Sequence, residues 1–128
     1  MILSGENVEP SVIEEAAMRS SLIQQIVVIG QDQRRLGAII VPNREEVSLE
    51  AKKLMSSSSS IQETEAVKKI LREELRKWTW DCSFQVNGPV LVVEEAFTVD
   101  NGLMTPTMKV KRDQVSSLYR HQIEELYK

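Results

Sequence analysis

A chain of 128 residues, 41% of them apolar, has material for one compact domain with one core and too little for a nucleotide site plus a separate substrate domain. Its formal charge of -3, with acidic and basic residues interleaved, argues against nucleic acid as a partner, because such binders carry a basic face. One cysteine, Cys82, excludes an internal disulfide, and no window approaches the roughly 20 apolar residues of a transmembrane segment.

Met1-Ile2-Leu3 reads as a strand with Gly5 following at once, as though the first half of a hairpin were missing, which suggests a fragment. The first thirty residues show no basic region, apolar core and small-residue cleavage site in succession, so they carry no targeting signal. Pro10 suits a first helical turn, and Val12, Ile13, Ala16 and Ala17 share a face, which predicts a helix from about Glu9 to Ser20. Ile26–Ile29 and Leu36–Val41 are β-rich runs joined by a polar segment, a hairpin pattern. Runs so continuously apolar imply strands covered on both faces by helices.

Val47, Ala51, Leu54 and Met55 mark one helical face, which ends at a serine-rich loop, residues 56–61. Five consecutive serines lack the glycines and lysine of a phosphate cradle. A further helix runs from about Gln62 to Trp78 with Val67, Ile70, Leu71, Leu75 and Trp78 inward, and Glu65–Lys69 and Glu73–Lys77 as i, i+4 pairs outside. Trp78, Trp80 and Phe84 read as core anchors and Cys82 as a packing residue. Asn87-Gly88-Pro89 marks a turn before the third apolar run, Val90–Val93. A final helix from Arg112 or Asp113 aligns Val115, Leu118, Tyr119, Gln122, Ile123 and Leu126. The expected fold is α/β (α+β), a small sheet of about three main strands with helices on both faces, plus an N-terminal strand or hairpin remnant.

Two stretches invite chemistry. In NGLMTPTMKVKR, Asn101-Gly102 supplies a turn, Thr105-Pro106-Thr107 stiffens the approach, and Lys109 projects from an ordered edge. A lysine there serves as a point charge for a carboxylate or phosphoryl oxygen. From composition alone a solvated loop lysine is the commoner reading. In Ser4-Gly5-Glu6-Asn7, ahead of the first helix, glycine admits a close approach by a ligand, and an ordinary strand-to-helix turn explains it equally well. His121 has no partner at metal-ligand spacing, and no metal site is expected.

Taken together, LSGENVEPSVIEEA and NGLMTPTMKVKRD resemble the C-terminal domain of the acyl-adenylate-forming (AMP-binding) enzymes, in the long-chain fatty acyl-CoA synthetase branch. RSSLIQQIVVIGQDQRRLGAIIVPN and CSFQVNGPVLVVEEAFTVDNGLMTPTMK are most similar to plant plastid acyl-[acyl carrier protein] synthetases. The resemblance is thinnest from Arg44 to Trp80. It implies that residues 1–128 form the mobile lid of an AMP-forming long-chain fatty acid ligase, whose hinge and larger N-terminal ATP- and fatty-acid-binding domain stand upstream of Met1. Lys109 then aligns with the adenylation lysine, and Ser4, Gly5, Glu6 and Asn7 with the loop lining the pantetheine tunnel.

Met108 stands where many other branches have glycine, a departure that long-chain members share. ATP and Mg2+ would be bound mainly by the larger domain, and CoA or the phosphopantetheine of acyl carrier protein would be the acceptor. A carrier protein is acidic, so Lys111, Arg112 and Arg120 become candidate docking cations, or they simply solvate the last helix. The resemblance further implies a plastid location and an inactive isolated chain. A rival reading keeps the same fold as a non-catalytic protein-interaction module.

Overall fold

The computed structural model describes residues 2–3, 5–30, 33–57, 63–82 and 84–127. Two short strands, β1 (Ile2–Leu3) and β2 (Glu6–Asn7), pair antiparallel across Gly5. The opening strand therefore finds its partner downstream, in residues expected to be loop. Helix α1 (Pro10–Ala17) starts at Pro10, whose missing N–H costs nothing in the first turn.

The main sheet holds β3 (Ile23–Ile29), β4 (Gly37–Pro42) and β5 (Val90–Val92) in the order β3-β4-β5. The predicted hairpin is present: β3 and β4 are antiparallel with Ile26 opposite Ile40. β5 joins β4 in parallel with Leu91 opposite Ile39. A parallel neighbour requires a long crossover. Helices α2 (Arg44–Ser57) and α3 (Glu63–Thr79) lie within it. Residues 58–61 of the serine-rich segment lie outside the described residues.

The central strand β4 is buried along its whole length, and alternation divides its side chains between two cores. Ala38 and Ile40 pack with Ile26, Val90, Ala51 and Leu71 beneath α2 and α3. Ile39 and Val41 face the other way, onto Val27, Ile29, Phe97, Leu103 and Val115. Val8, Ile13, Val28 and Leu36 form a third cluster, with Cys82 and Phe84 half-buried against it. Helices thus cover both faces, as the apolar runs require.

Three expectations need correction. The last helix is two, α4 (Arg112–Leu118) and α5 (Arg120–Leu126), because Tyr119 leaves helical geometry at φ -103° and ψ 17°. The inward stripe is Val115, Tyr119, Ile123 and Tyr127, at strict i, i+4 spacing, so Leu118 falls off it and is exposed, as is Gln122. Trp80 lies just past the end of α3 and is 75% exposed, while Trp78 donates its indole N–H to Glu74 at 2.7 Å. Glu65, Lys69, Glu73 and Lys77 are exposed, the expected ion pairs are absent among the described residues, and the Lys77 ammonium sits 5.2 Å from the centre of the Trp78 ring.

Candidate functional site

The segment that carries Lys109 is sewn to the second core before it reaches the lysine. Phe97 is 2% exposed. Its N–H donates to the Gln25 side-chain oxygen at 2.7 Å, and its carbonyl accepts from the Gln25 side-chain nitrogen at 2.9 Å. Asn101 then shapes the predicted turn: its Oδ1 accepts from the Thr98 and Leu103 amides, and its Nδ2 donates to the Ala96 carbonyl. Gly102 takes a left-handed φ of 78°, which suits glycine. Leu103 and Met104 are buried.

Met104 next pairs antiparallel with Val110, and the residues between them form a small hairpin. The Thr105 amide donates to the Lys109 carbonyl at 2.7 Å, and the Met108 amide donates to the Thr105 carbonyl at 2.9 Å. The Lys109 amide donates to the Thr105 hydroxyl at 3.1 Å. Pro106, Thr107 and Met108 are thus a three-residue hairpin loop, a β-turn followed by one left-handed residue. Pro106 occupies the turn position that favours proline. The left-handed residue is Met108, at φ 68°, where a residue with a Cβ is disfavoured by about 1–2 kcal/mol. A glycine in that place would meet the same geometry without strain.

Lys109 is exposed, and among the described residues its ammonium makes no ion pair. The cleft between Pro10, Gln33 and Arg120 does not include it. The chain beyond it returns to the core at once. The Lys111 amide donates to the Leu103 carbonyl at 2.8 Å, and Arg112 reaches back to α1, where its Nη2 donates to Glu14 Oε1 at 2.5 Å. Lys109 is therefore a free cation on a hairpin anchored at both roots.

Glu14 is the second anchor's keystone. Its other oxygen accepts the Val28 amide of β3 at 2.7 Å, so one carboxylate joins α1, β3 and α4. Burial pushes the Glu14 carboxyl up, while the Arg112 hydrogen bond and the Val28 amide pull it down. Among the described residues the buried Arg112 Nε has no hydrogen-bond partner, so Nη2 carries the tie. Arg112 is thus engaged as a structural brace between α4 and α1. Of the other two candidate docking cations, Lys111 is exposed, and Arg120 pairs with Glu124 at 3.1 Å.

Of the second predicted stretch, Ser4 lies outside the described residues. Gly5 sits at φ 84° with open space where a Cβ would stand, and Glu6 and Asn7 are exposed. Val8, 2% exposed, fixes the hairpin's exit on the third core. Among the described residues no hydrogen bond or ion pair joins Gly5, Glu6 or Asn7 to Lys109, and the Glu14–Arg112 tie instead joins α1, downstream of Gly5, to the end of the Lys109 stretch. Glu14 and Gln25 are the supports of the Lys109 segment that sequence reasoning missed, and Thr105, read there only as a stiffener, also holds the Lys109 backbone. His121 is exposed, and among the described residues no His/Cys/Asp/Glu group could hold a metal. Burial and the nearby Asp81 raise the Cys82 thiol, which does not favour a nucleophile. Among the described residues no helix is long and apolar enough to cross a membrane.

Residues 1–77 match the family model of the AMP-binding enzyme C-terminal domain. The whole chain is 61% identical to the probable acyl-activating enzyme 16, chloroplastic, of Arabidopsis thaliana, covering 18% of that protein. Over 99% of its length it is 58% identical to a chloroplastic long-chain-fatty-acid–[acyl-carrier-protein] ligase of the same plant, covering 16% of it. The chain thus spans less than a fifth of these curated relatives. Among solved structures, the A-PCP didomain of carboxylic acid reductase from Segniliparus rugosus in complex with AMP matches with a TM-score of 0.77 and 32% identity, over 99% of this chain and 17% of the other. The adenylation domain of the carboxylate reductase from Mycobacterium chelonae gives 0.78 and 27%, over 99% and 19%. With both sequence and fold in agreement, the chain belongs to the AMP-binding enzyme C-terminal domain family.

Proposed function

We propose that this chain is the moving C-terminal lid of an AMP-forming long-chain fatty acid ligase, and that Lys109 is its adenylation lysine. The observation that carries the reading is an exposed cation, without an ion pair among the described residues, held on a doubly anchored hairpin and outside the cleft between Pro10, Gln33 and Arg120. Such a group acts only when a second body brings substrate to it. That body is a larger N-terminal domain of the same polypeptide, binding fatty acid, ATP and Mg2+.

In the first half-reaction a fatty acid carboxylate oxygen attacks the α-phosphorus of ATP, and pyrophosphate leaves with the electron pair of the broken P–O bond. The Lys109 ammonium offsets negative charge on the carboxylate and phosphoryl oxygens as they approach. In the second, a pantetheine thiol of acyl carrier protein or CoA displaces AMP, and the thiol proton is lost as the thioester forms. The Ser4, Gly5, Glu6 and Asn7 loop lines the thiol's approach, with the open space beside Gly5 admitting it. Acyl carrier protein as acceptor follows the Arabidopsis ligase, whose name includes it, and a plastid location follows both Arabidopsis relatives. The isolated chain is inactive, because both half-reactions need groups from two domains.

The test is Lys109→Ala in the full-length enzyme. Acyl-adenylate formation should fall by about 10²–10³-fold, as when one donor to a developing anion is removed. Thioester formation from preformed acyl-adenylate should persist. Wild-type rates in both assays would reject the reading and favour a non-catalytic interaction module.

A further inference from the structure

We infer that Thr105 is the positioning residue for Lys109, acting through a backbone clasp that sets where the lysine stem begins. The inference rests on the adenylation reading of Lys109. A lysine side chain is a flexible four-carbon stem, and among the described residues no ion pair holds the exposed tip of Lys109. What the protein can fix is the stem's root. Thr105 grips that root twice, its amide donating to the Lys109 carbonyl at 2.7 Å and its hydroxyl accepting the Lys109 amide at 3.1 Å.

The sequence around Thr105 suits it to this task. It precedes a proline, which confines it to extended backbone, the conformation of the strand partner in a hairpin. A hydroxyl has two acceptor lone pairs and one donor, so it can take the Lys109 amide while paired to the Thr107 hydroxyl at 3.0 Å. The contact also follows directly on the left-handed Met108, where the hairpin is most inclined to relax. Without the hydroxyl, one of the two links remains and the stem's root can turn about it.

Valine matches threonine in shape and branching and lacks only the hydroxyl, so Thr105→Val isolates the clasp. Alongside Thr105→Ser and Lys109→Ala, it should be assayed in the full-length enzyme for both half-reactions, with a long-chain fatty acid and ATP, and with preformed acyl-adenylate. Thr105→Val should lower kcat for acyl-adenylate formation about tenfold, the scale of one lost hydrogen bond. KM for ATP and fatty acid should stay within about twofold, and thioester formation should be unchanged. Thr105→Ser should restore adenylation to within about threefold of wild type.

Wild-type adenylation by Thr105→Val, with Lys109→Ala inactive, would overturn the clasp and leave the reading of Lys109 standing. Loss of both half-reactions by Thr105→Val without rescue by serine would overturn it too, since the threonine would then be serving the fold. Full adenylation by Lys109→Ala would remove the reading and the clasp together.

Discussion

The Lys109 hairpin and the Gly5 hairpin both turn through a left-handed residue, yet one uses methionine at φ 68° and the other glycine at φ 84°. The difference lies in what backs them. Around Lys109, the buried Phe97, Leu103 and Val115, the Gln25 grip and the Glu14–Arg112 tie hold the chain against the sheet. Such backing can sustain a conformation that methionine alone would abandon. The Gly5 hairpin has two pairs of residues and Val8 behind it, so it takes the residue that adopts the turn without strain. The hairpin that carries Lys109 stands on a stiff mount, and the hairpin around Gly5 leaves open space where a Cβ would stand.

The largest test of that contrast is Arg112→Ala. It leaves the mostly buried Glu14 carboxylate without its cation and with only the Val28 amide, and urea titration of the chain should show a loss of about 3 kcal/mol, as when one partner of a buried pair is removed. A loss within error would mean that the tie decorates the hairpin's root without holding it. Gly5→Ala should cost about 1 kcal/mol, from the left-handed backbone and not from a clash. Amide exchange should locate that loss in residues 2–7 and leave the main sheet protected. Equal loosening of the sheet would show the two regions to be one cooperative unit.

Met108→Gly should have the smallest effect and the opposite sign. Relief of the strained φ outweighs the extra freedom of the unfolded glycine by about 0.5 kcal/mol, and a side chain 72% exposed gives up little burial. Destabilisation by that change would reveal a contact of the methionine that its exposure conceals.

Much of this architecture was legible in the residues. The apolar runs of β3 and β4 demanded cover on both faces, Pro10 marked the start of α1, and Asn101-Gly102 marked the turn ahead of the lysine. These are local signals, set by periodicity and backbone preference. The supports of the site were not legible. Glu14 meets Arg112 across 98 positions, and Gln25 meets Phe97 across 72, and a polar residue in a helix or strand gives no sign of which distant partner it will find. Trp80 was misread because an aromatic residue just past a helix end has no periodicity to orient it. The Thr105 clasp is local, but threonine and proline beside a turn signal stiffness without saying which neighbour the hydroxyl will hold.

The spans of these contacts also order the making of the site. The Thr105–Lys109 contact closes over four positions, and a loop of about ten residues closes within roughly 10–100 ns in an unfolded chain. The Glu14–Arg112 tie must bring together nearly the whole sequence, and loop-closure entropy delays such a contact until the sheet and its helices shorten the path. The lysine is shaped early and placed late. On a ribosome, α1 emerges long before its partner on α4, so Glu14 waits without its arginine until the last part of the domain has been synthesised.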